Sequence, residues 1–148
     1  MNQELRALYQ EVIIDHGRHP RNFGSMPEAT HVLEGYNPLC GDQLKLFLAI
    51  KDDKIEKAMF EGSGCAISMA SASLMSQQLS GKTLEDAKQL FHWFHSMVVD
   101  KQTPNEHLGK LAILEGVKEF PARVKCATLS WHTLHNILEG KNEVAVTE

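Results

Sequence analysis

Two runs of alternating apolar residues joined by a pair of aspartates constrain this chain more than any other feature. In residues 44–51, Leu44, Leu46, Leu48 and Ile50 share one face, and Lys45, Phe47 and Ala49 share the other. Asp52 and Asp53 make a polar turn, and residues 54–62 run back. Runs of period two with so short a connection pair as antiparallel strands. A weaker strand candidate spans residues 30–36. The hairpin places the segment before residue 44 and the segment after residue 62 at one edge of a sheet.

Chemistry-bearing residues stand at both of those ends. Before the hairpin lies Asn37-Pro38-Leu39-Cys40-Gly41-Asp42. Pro38 and Gly41 forbid a helix there, and Pro38 biases Asn37 toward an extended shape. Side chains two apart on extended backbone point to the same side, so Cys40 and Asp42 can converge. A thiolate and a carboxylate aimed at one point repel unless a cation or proton lies between them. Just after the hairpin comes Gly64-Cys65.

Helical patterns surround these strands. Residues 2–16 carry Leu5, Leu8, Tyr9, Val12 and Ile13 at helical spacing, with a stop near Gly17 and Pro20. Residues 18–28 form a turn-rich loop. From Cys65 a helix carries Ile67, Ala70, Leu74, Met75 and Leu79 up to Gly81, and its small residues suit close packing. Thr83-Leu84-Glu85-Asp86 resembles a capping box that opens a helix with Leu84, Ala87, Leu90, Phe91, Phe94 and Val98 on one face. Residues 100–109 are a polar connection, followed by a short helical piece at 111–115. Pro121 opens a last helix through Val124, Ala127, Trp131, Leu134 and Leu138, ended by Gly140. Strands followed by helices indicate an α+β fold, a three-stranded antiparallel sheet with helices packed on one face. A single domain over residues 1–148 is expected, with a loose polar tail from about 141.

Composition narrows the function. The net charge of −4 argues against a nucleic-acid binder, which would show a basic surplus. No apolar run is long enough to span a bilayer, and the first eleven residues lack the apolar core of a signal peptide, so a cytoplasmic location is expected. Three cysteines, Cys40, Cys65 and Cys126, make a poor disulfide framework. They read either as buried inert thiols or, given their glycine and polar flanks, as reactive or metal-bound ones.

With Asp42 the thiols make four donors: Cys40, Asp42, Cys65 and Cys126. Four such donors close a tetrahedron around zinc or anchor part of an iron–sulfur cluster. The net negative charge left over calls for a basic neighbour, and Arg123 and Lys125 flank Cys126. Cys65 and Cys126 fall near helix starts, where the dipole favours a thiolate. The histidine pairs His92/His95 and His132/His135 read as half-buried helix residues, and His16 and His19 as cations at a helix end. A zinc hydrolase is disfavoured, because four protein donors leave no position for water.

The segments Gly35-Tyr36-Asn37-Pro38-Leu39-Cys40-Gly41-Asp42, Gly62-Ser63-Gly64-Cys65-Ala66-Ile67-Ser68 and Arg123-Val124-Lys125-Cys126-Ala127-Thr128-Leu129 resemble the cysteine motifs of the SufU/IscU family. Leu8-Tyr9, Asp15-His16 and Pro20-Arg21-Asn22 extend the resemblance over nearly the whole chain. Lys125 stands where IscU-type scaffolds carry a histidine, and the connection between Val99 and Phe120 is longer than theirs; both features resemble the SufU branch. That resemblance implies zinc held by three cysteines and an aspartate, and sulfur received from a pyridoxal-phosphate cysteine desulfurase. It implies Cys40 as the thiol that takes the persulfide, with Asp42, Cys65 and Cys126 retaining the metal. The alternative implied by the IscU branch is a scaffold that builds an iron–sulfur cluster and passes it to downstream assembly proteins.

Overall fold

A computed structural model describes residues 3–147. The hairpin is formed by β2 (Asp42–Lys51) and β3 (Lys54–Ser63), paired antiparallel with a bulge between Ala49 and Ile50. The turn residues Asp52 and Asp53 both take positive φ, the left-handed backbone that a two-residue hairpin turn requires. β1 (His31–Asn37) pairs antiparallel with the other edge of β2, so the weak strand candidate is real and runs one residue further than its pattern. Leu33, Gly35 and Asn37 point into the protein, while Val32, Glu34 and Tyr36 face out.

The sheet differs from the three antiparallel strands expected. It has four strands in the order β3-β2-β1-β4 and is mixed, because β4 (Ala145–Val146) runs parallel to β1. β4 lies in the tail whose composition suggests a loose end. The outer edge of β1 offers unpaired backbone groups, and the tail satisfies some of them. Thr147 N–H donates to the Tyr36 carbonyl at 3.2 Å, the Thr147 hydroxyl donates to the Lys125 carbonyl at 3.1 Å, and Ala145 is buried.

The helices are α1 (Gln3–Arg18), α2 (Ala66–Leu79), α3 (Leu84–Val98) and α4 (Pro121–Leu138). The expected α1 start at Asn2, and the side chains of Leu5 and Leu8, lie outside the described residues. Thr83 caps α3 by accepting from Asp86 N–H at 3.1 Å. α2 lies against β3 and between α1 and α4, and every residue from Ser68 to Ser76 is buried, as its small side chains allow. α4 crosses β1 at Gly35, where any Cβ would strike Thr133 and Leu129. That close approach fixes the height of α4 over the sheet and brings its first turns toward the end of β1.

Between α3 and α4 the chain departs from the short helical piece expected. Residues Glu106–Glu119 form 3₁₀ turns, broken at Gly109 (φ 56°, ψ −129°). Leu108, Leu111, Leu114 and Val117 are the buried members. Apolar residues at every third position match a helix of roughly three residues per turn better than an α-helix. The core they join is centred on Phe60, Phe94 and Trp131; the Phe94 and Trp131 rings stack at 4.4 Å, and Trp131 Nε1 donates to Ser71 Oγ at 3.1 Å. Among the described residues no helix is long and apolar enough to cross a membrane.

Candidate metal centre

Three chain segments deliver side chains to the same end of the sheet. Register opposes Asn37, the last residue of β1, to Asp42, the first of β2. The intervening Pro38, Leu39, Cys40 and Gly41 form the turn, with Gly41 at φ 71°. Next to Asp42, Gln43 pairs with Ser63 at the end of β3, so Gly64 and Cys65 lie beside the carboxylate. α4, set low on Gly35, supplies Cys126 from its second turn.

The donor atoms of Cys40, Asp42 and Cys126 all lie within 4.8 Å of one another, an arrangement able to hold a metal ion. Cys126 S–H donates to Cys40 Sγ at 3.3 Å. Asp42 has no exposed surface, and its two oxygens are separately held. Cys65 N–H donates to Oδ1 at 2.9 Å, and Asn37 Nδ2 donates to Oδ2 at 3.1 Å. Gly64 packs so closely that a Cβ there would sit 2.6 Å from Asp42 Oδ1.

The Cys65 sulfur does not fall within that 4.8 Å group. It caps α2 instead, accepting Ser68 N–H at 3.4 Å. It still acts on Cys126. Burial pushes the Cys126 thiol well above the usual range, and hydrogen bonds to Cys40 and Asp42, with the charge and hydrogen bond of Cys65, push it the same way. The Cys126 thiolate is therefore unfavourable here unless a cation lies beside it.

The three thiols differ in exposure: Cys40 is exposed, Cys65 intermediate and Cys126 buried at 3%. The convergence of Cys40 with Asp42 arises from the turn rather than from extended strand geometry. The helix-start reading fits Cys65, the N-cap of α2; Cys126 lies more than a turn inside α4, where the dipole acts less.

Of the basic residues expected to balance the site, Arg123 lies over the Phe120 ring at 4.4 Å. Both line a cleft of about 530 Å³ with Tyr9, Gln10 and Glu115. Burial raises the Tyr9 pKa, opposed by the charge and hydrogen bond of Arg123. His16 is not the helix-end cation its position suggests. It is buried, bonds Ser73 Oγ at 2.7 Å, and has its pKa lowered by burial and by the Arg21 charge. His95, His132 and His135 gather around Phe91, and burial likewise lowers the pKa of His132.

The chain is thus an α+β domain that brings thiols and a carboxylate able to hold a metal ion to one tip of its sheet. The chain belongs to the NifU-like N terminal domain family, whose sequence profile matches residues 8–127. It is 45% identical over 134 residues to the zinc-dependent sulfurtransferase SufU of Bacillus subtilis, with 90% of each chain covered. It is 36% identical over 155 residues to the iron–sulfur cluster assembly scaffold protein IscU of Streptococcus pyogenes, covering 94% of this chain and 97% of that one. The crystal structure of a putative iron–sulfur cluster assembly scaffold protein for the SUF system (FiSufU) from Fervidobacterium islandicum superposes with a TM-score of 0.83 at 36% identity, over 90% of this chain and 98% of that one.

Asn37 is the site residue that sequence patterns miss. A buried amide that touches both Asp42 and Cys126 is visible in sequence only as the residue before Pro38, where backbone restriction is the more evident role.

Proposed function

We propose that this chain is a zinc-dependent sulfurtransferase of iron–sulfur cluster biogenesis, working in the cytoplasm and accepting persulfide sulfur on Cys40 from a pyridoxal-phosphate cysteine desulfurase. The observation that carries this reading is the unequal exposure of thiols gathered at one tip. Cys40 is exposed on a turn, Cys65 is tied into a helix cap, and Cys126 is buried. Only a thiol that a partner's sulfur can reach is able to accept it.

Zinc fits the donor set. Thiolates and a carboxylate are ordinary zinc ligands, and the raised Cys126 pKa marks a cluster in which a cation would relieve the crowding of acidic groups. Cys40, Asp42, Cys65 and Cys126 would hold it. When bound, zinc supplies a positive charge that keeps thiols deprotonated at neutral pH.

In the transfer, the Cys40 thiolate attacks the outer sulfur of the desulfurase persulfide. A sulfur–sulfur bond forms on Cys40 as the donor's own sulfur–sulfur bond breaks. The donor cysteine leaves as a thiolate, the transferred sulfur keeps its proton, and there is no net oxidation. Asp42, Cys65 and Cys126 keep their places while Cys40 reaches outward.

Similarity to the Bacillus SufU supports this reading, and similarity to IscU proteins supports a second, in which the same residues carry an iron–sulfur cluster as cargo for downstream assembly proteins. Metal analysis of the purified chain separates them. One bound zinc, a colourless sample and faster turnover of an added cysteine desulfurase are the expected results. Bound iron with visible absorbance and no stimulation would put the scaffold reading ahead.

A further inference from the structure

Asn37 is fully buried, and burial of an amide is unfavourable unless its donors and acceptor are matched. Its orientation is set by one contact: Oδ1 accepts the Leu39 N–H at 3.3 Å, which turns Nδ2 toward the site. Nδ2 then lies 3.1 Å from Asp42 Oδ2 and 3.5 Å from Cys126 Sγ. One side chain thus touches the carboxylate, the buried thiol and the backbone of the turn that carries Cys40.

The sulfurs do not share these donors equally. Cys126 accepts from Asn37, and Cys65 accepts from Ser68 N–H. Among the described residues the donor to Cys40 Sγ is the Cys126 S–H, and no N–H donates to it. An N–H donor draws electron density from a thiolate and lowers its nucleophilicity, so the sulfur without one is left the more reactive. Outer hydrogen bonds of this kind also hold ligands in orientation.

We propose that Asn37 is a positioning residue that sorts the ligands of this site: its Nδ2 holds Asp42 and Cys126 as a fixed pair and leaves Cys40 free to exchange. This rests on the reading of Cys40 as the sulfur acceptor. The acceptor Oδ1 serves the turn and the donor Nδ2 serves the ligands, so the two roles are separable by substitution.

Asn37→Asp separates them, since a carboxylate keeps an acceptor for Leu39 N–H and removes the donor. The full chain is titrated with cobalt(II) in place of zinc, reading thiolate-to-metal absorbance and retention against a chelator. Wild type is expected to bind one cobalt. Asn37→Asp is expected to hold it roughly 10–100-fold more weakly, with a shifted charge-transfer band. The metal-free variant should keep wild-type circular dichroism. Asn37→Ser, which removes the amide without adding a charge, should show the same loss and serves where Asn37→Asp does not fold. Cobalt retention and spectrum matching wild type in the folded variants overturn the role of Asn37 and leave the metal reading standing. A folded wild-type chain that binds no cobalt overturns both.

Discussion

Asp42 is held from one side by the backbone, and Gly64→Ala attacks that support without touching a donor. Gly64 carries no positive φ, so alanine suits its backbone and the effect is steric. The new Cβ would lie 2.6 Å from Asp42 Oδ1 and 3.1 Å from its Cβ and Cγ. Asp42 is fully buried at the start of a central strand, so the shift must come from its carboxylate. That movement breaks the 2.9 Å bond from Cys65 N–H. A hydrogen bond to a charged group contributes about 1.5–3 kcal/mol, which corresponds to roughly 10–150-fold in affinity. Zinc retention in competition with a chelator should fall by that factor in Gly64→Ala, while the sheet and helices persist by circular dichroism. Gly81→Ala is the control. Gly81 has φ +85° with open space around it, so alanine there adds backbone strain of about 1–2 kcal/mol far from the site. It should lower the melting temperature and leave zinc retention alone. Gly64→Ala with wild-type zinc retention would refute the claim that Asp42 is placed against Gly64 as a ligand.

Cys126→Ser should lower both zinc content and melting temperature, and Cys65→Ser should do the same while keeping the α2 cap, because a serine hydroxyl can accept the Ser68 N–H in place of the thiol; unchanged zinc stoichiometry in either removes that residue from the ligand set. Asp42→Ala should weaken zinc retention with the fold intact, read by the same chelator competition. His16 predicts a pH dependence. Its folded-state pKa is lowered, so the unfolded chain binds its proton first; the contribution is complete above the ordinary histidine value of about 6.5 and is lost as pH falls below it. Melting temperature followed from pH 7.5 to 5 should therefore fall, and His16→Gln should flatten the slope; an unaltered slope would show that His16 does not carry it.

Much of this fold can be read from sequence because its elements have clean periods. The two-residue period of Leu44, Leu46 and Leu48 specifies β2, and Asp52-Asp53 specifies the turn that pairs it with β3. Because the hairpin is legible, so is the meeting of Asp42 and Cys65 at one sheet edge. β4 is not legible: two residues in a polar tail carry no period, and their pairing depends on an edge of β1 that exists only after folding. The 3₁₀ turns are not read from the sequence, which suggests a polar connection and a short helical piece, because Leu108, Leu111, Leu114 and Val117 at intervals of three also half-fit an α-helix. The role of Asn37 needed the β1–β2 register, since only the pairing Asn37↔Asp42 turns a residue five positions away into a neighbour. His16 misleads because its partner Ser73 is supplied by α2, far away in sequence.

The central claim is that Cys40 accepts the sulfur, and peptide mapping by mass spectrometry tests it most directly. The zinc-loaded chain is incubated with a cysteine desulfurase and cysteine, digested under non-reducing conditions, and each thiol peptide is weighed. An added mass of about 32 Da is expected on the Cys40 peptide, the gain of one sulfur by thiolate exchange, and it should disappear in Cys40→Ala. Added sulfur found mainly on the Cys65 or Cys126 peptide would contradict it.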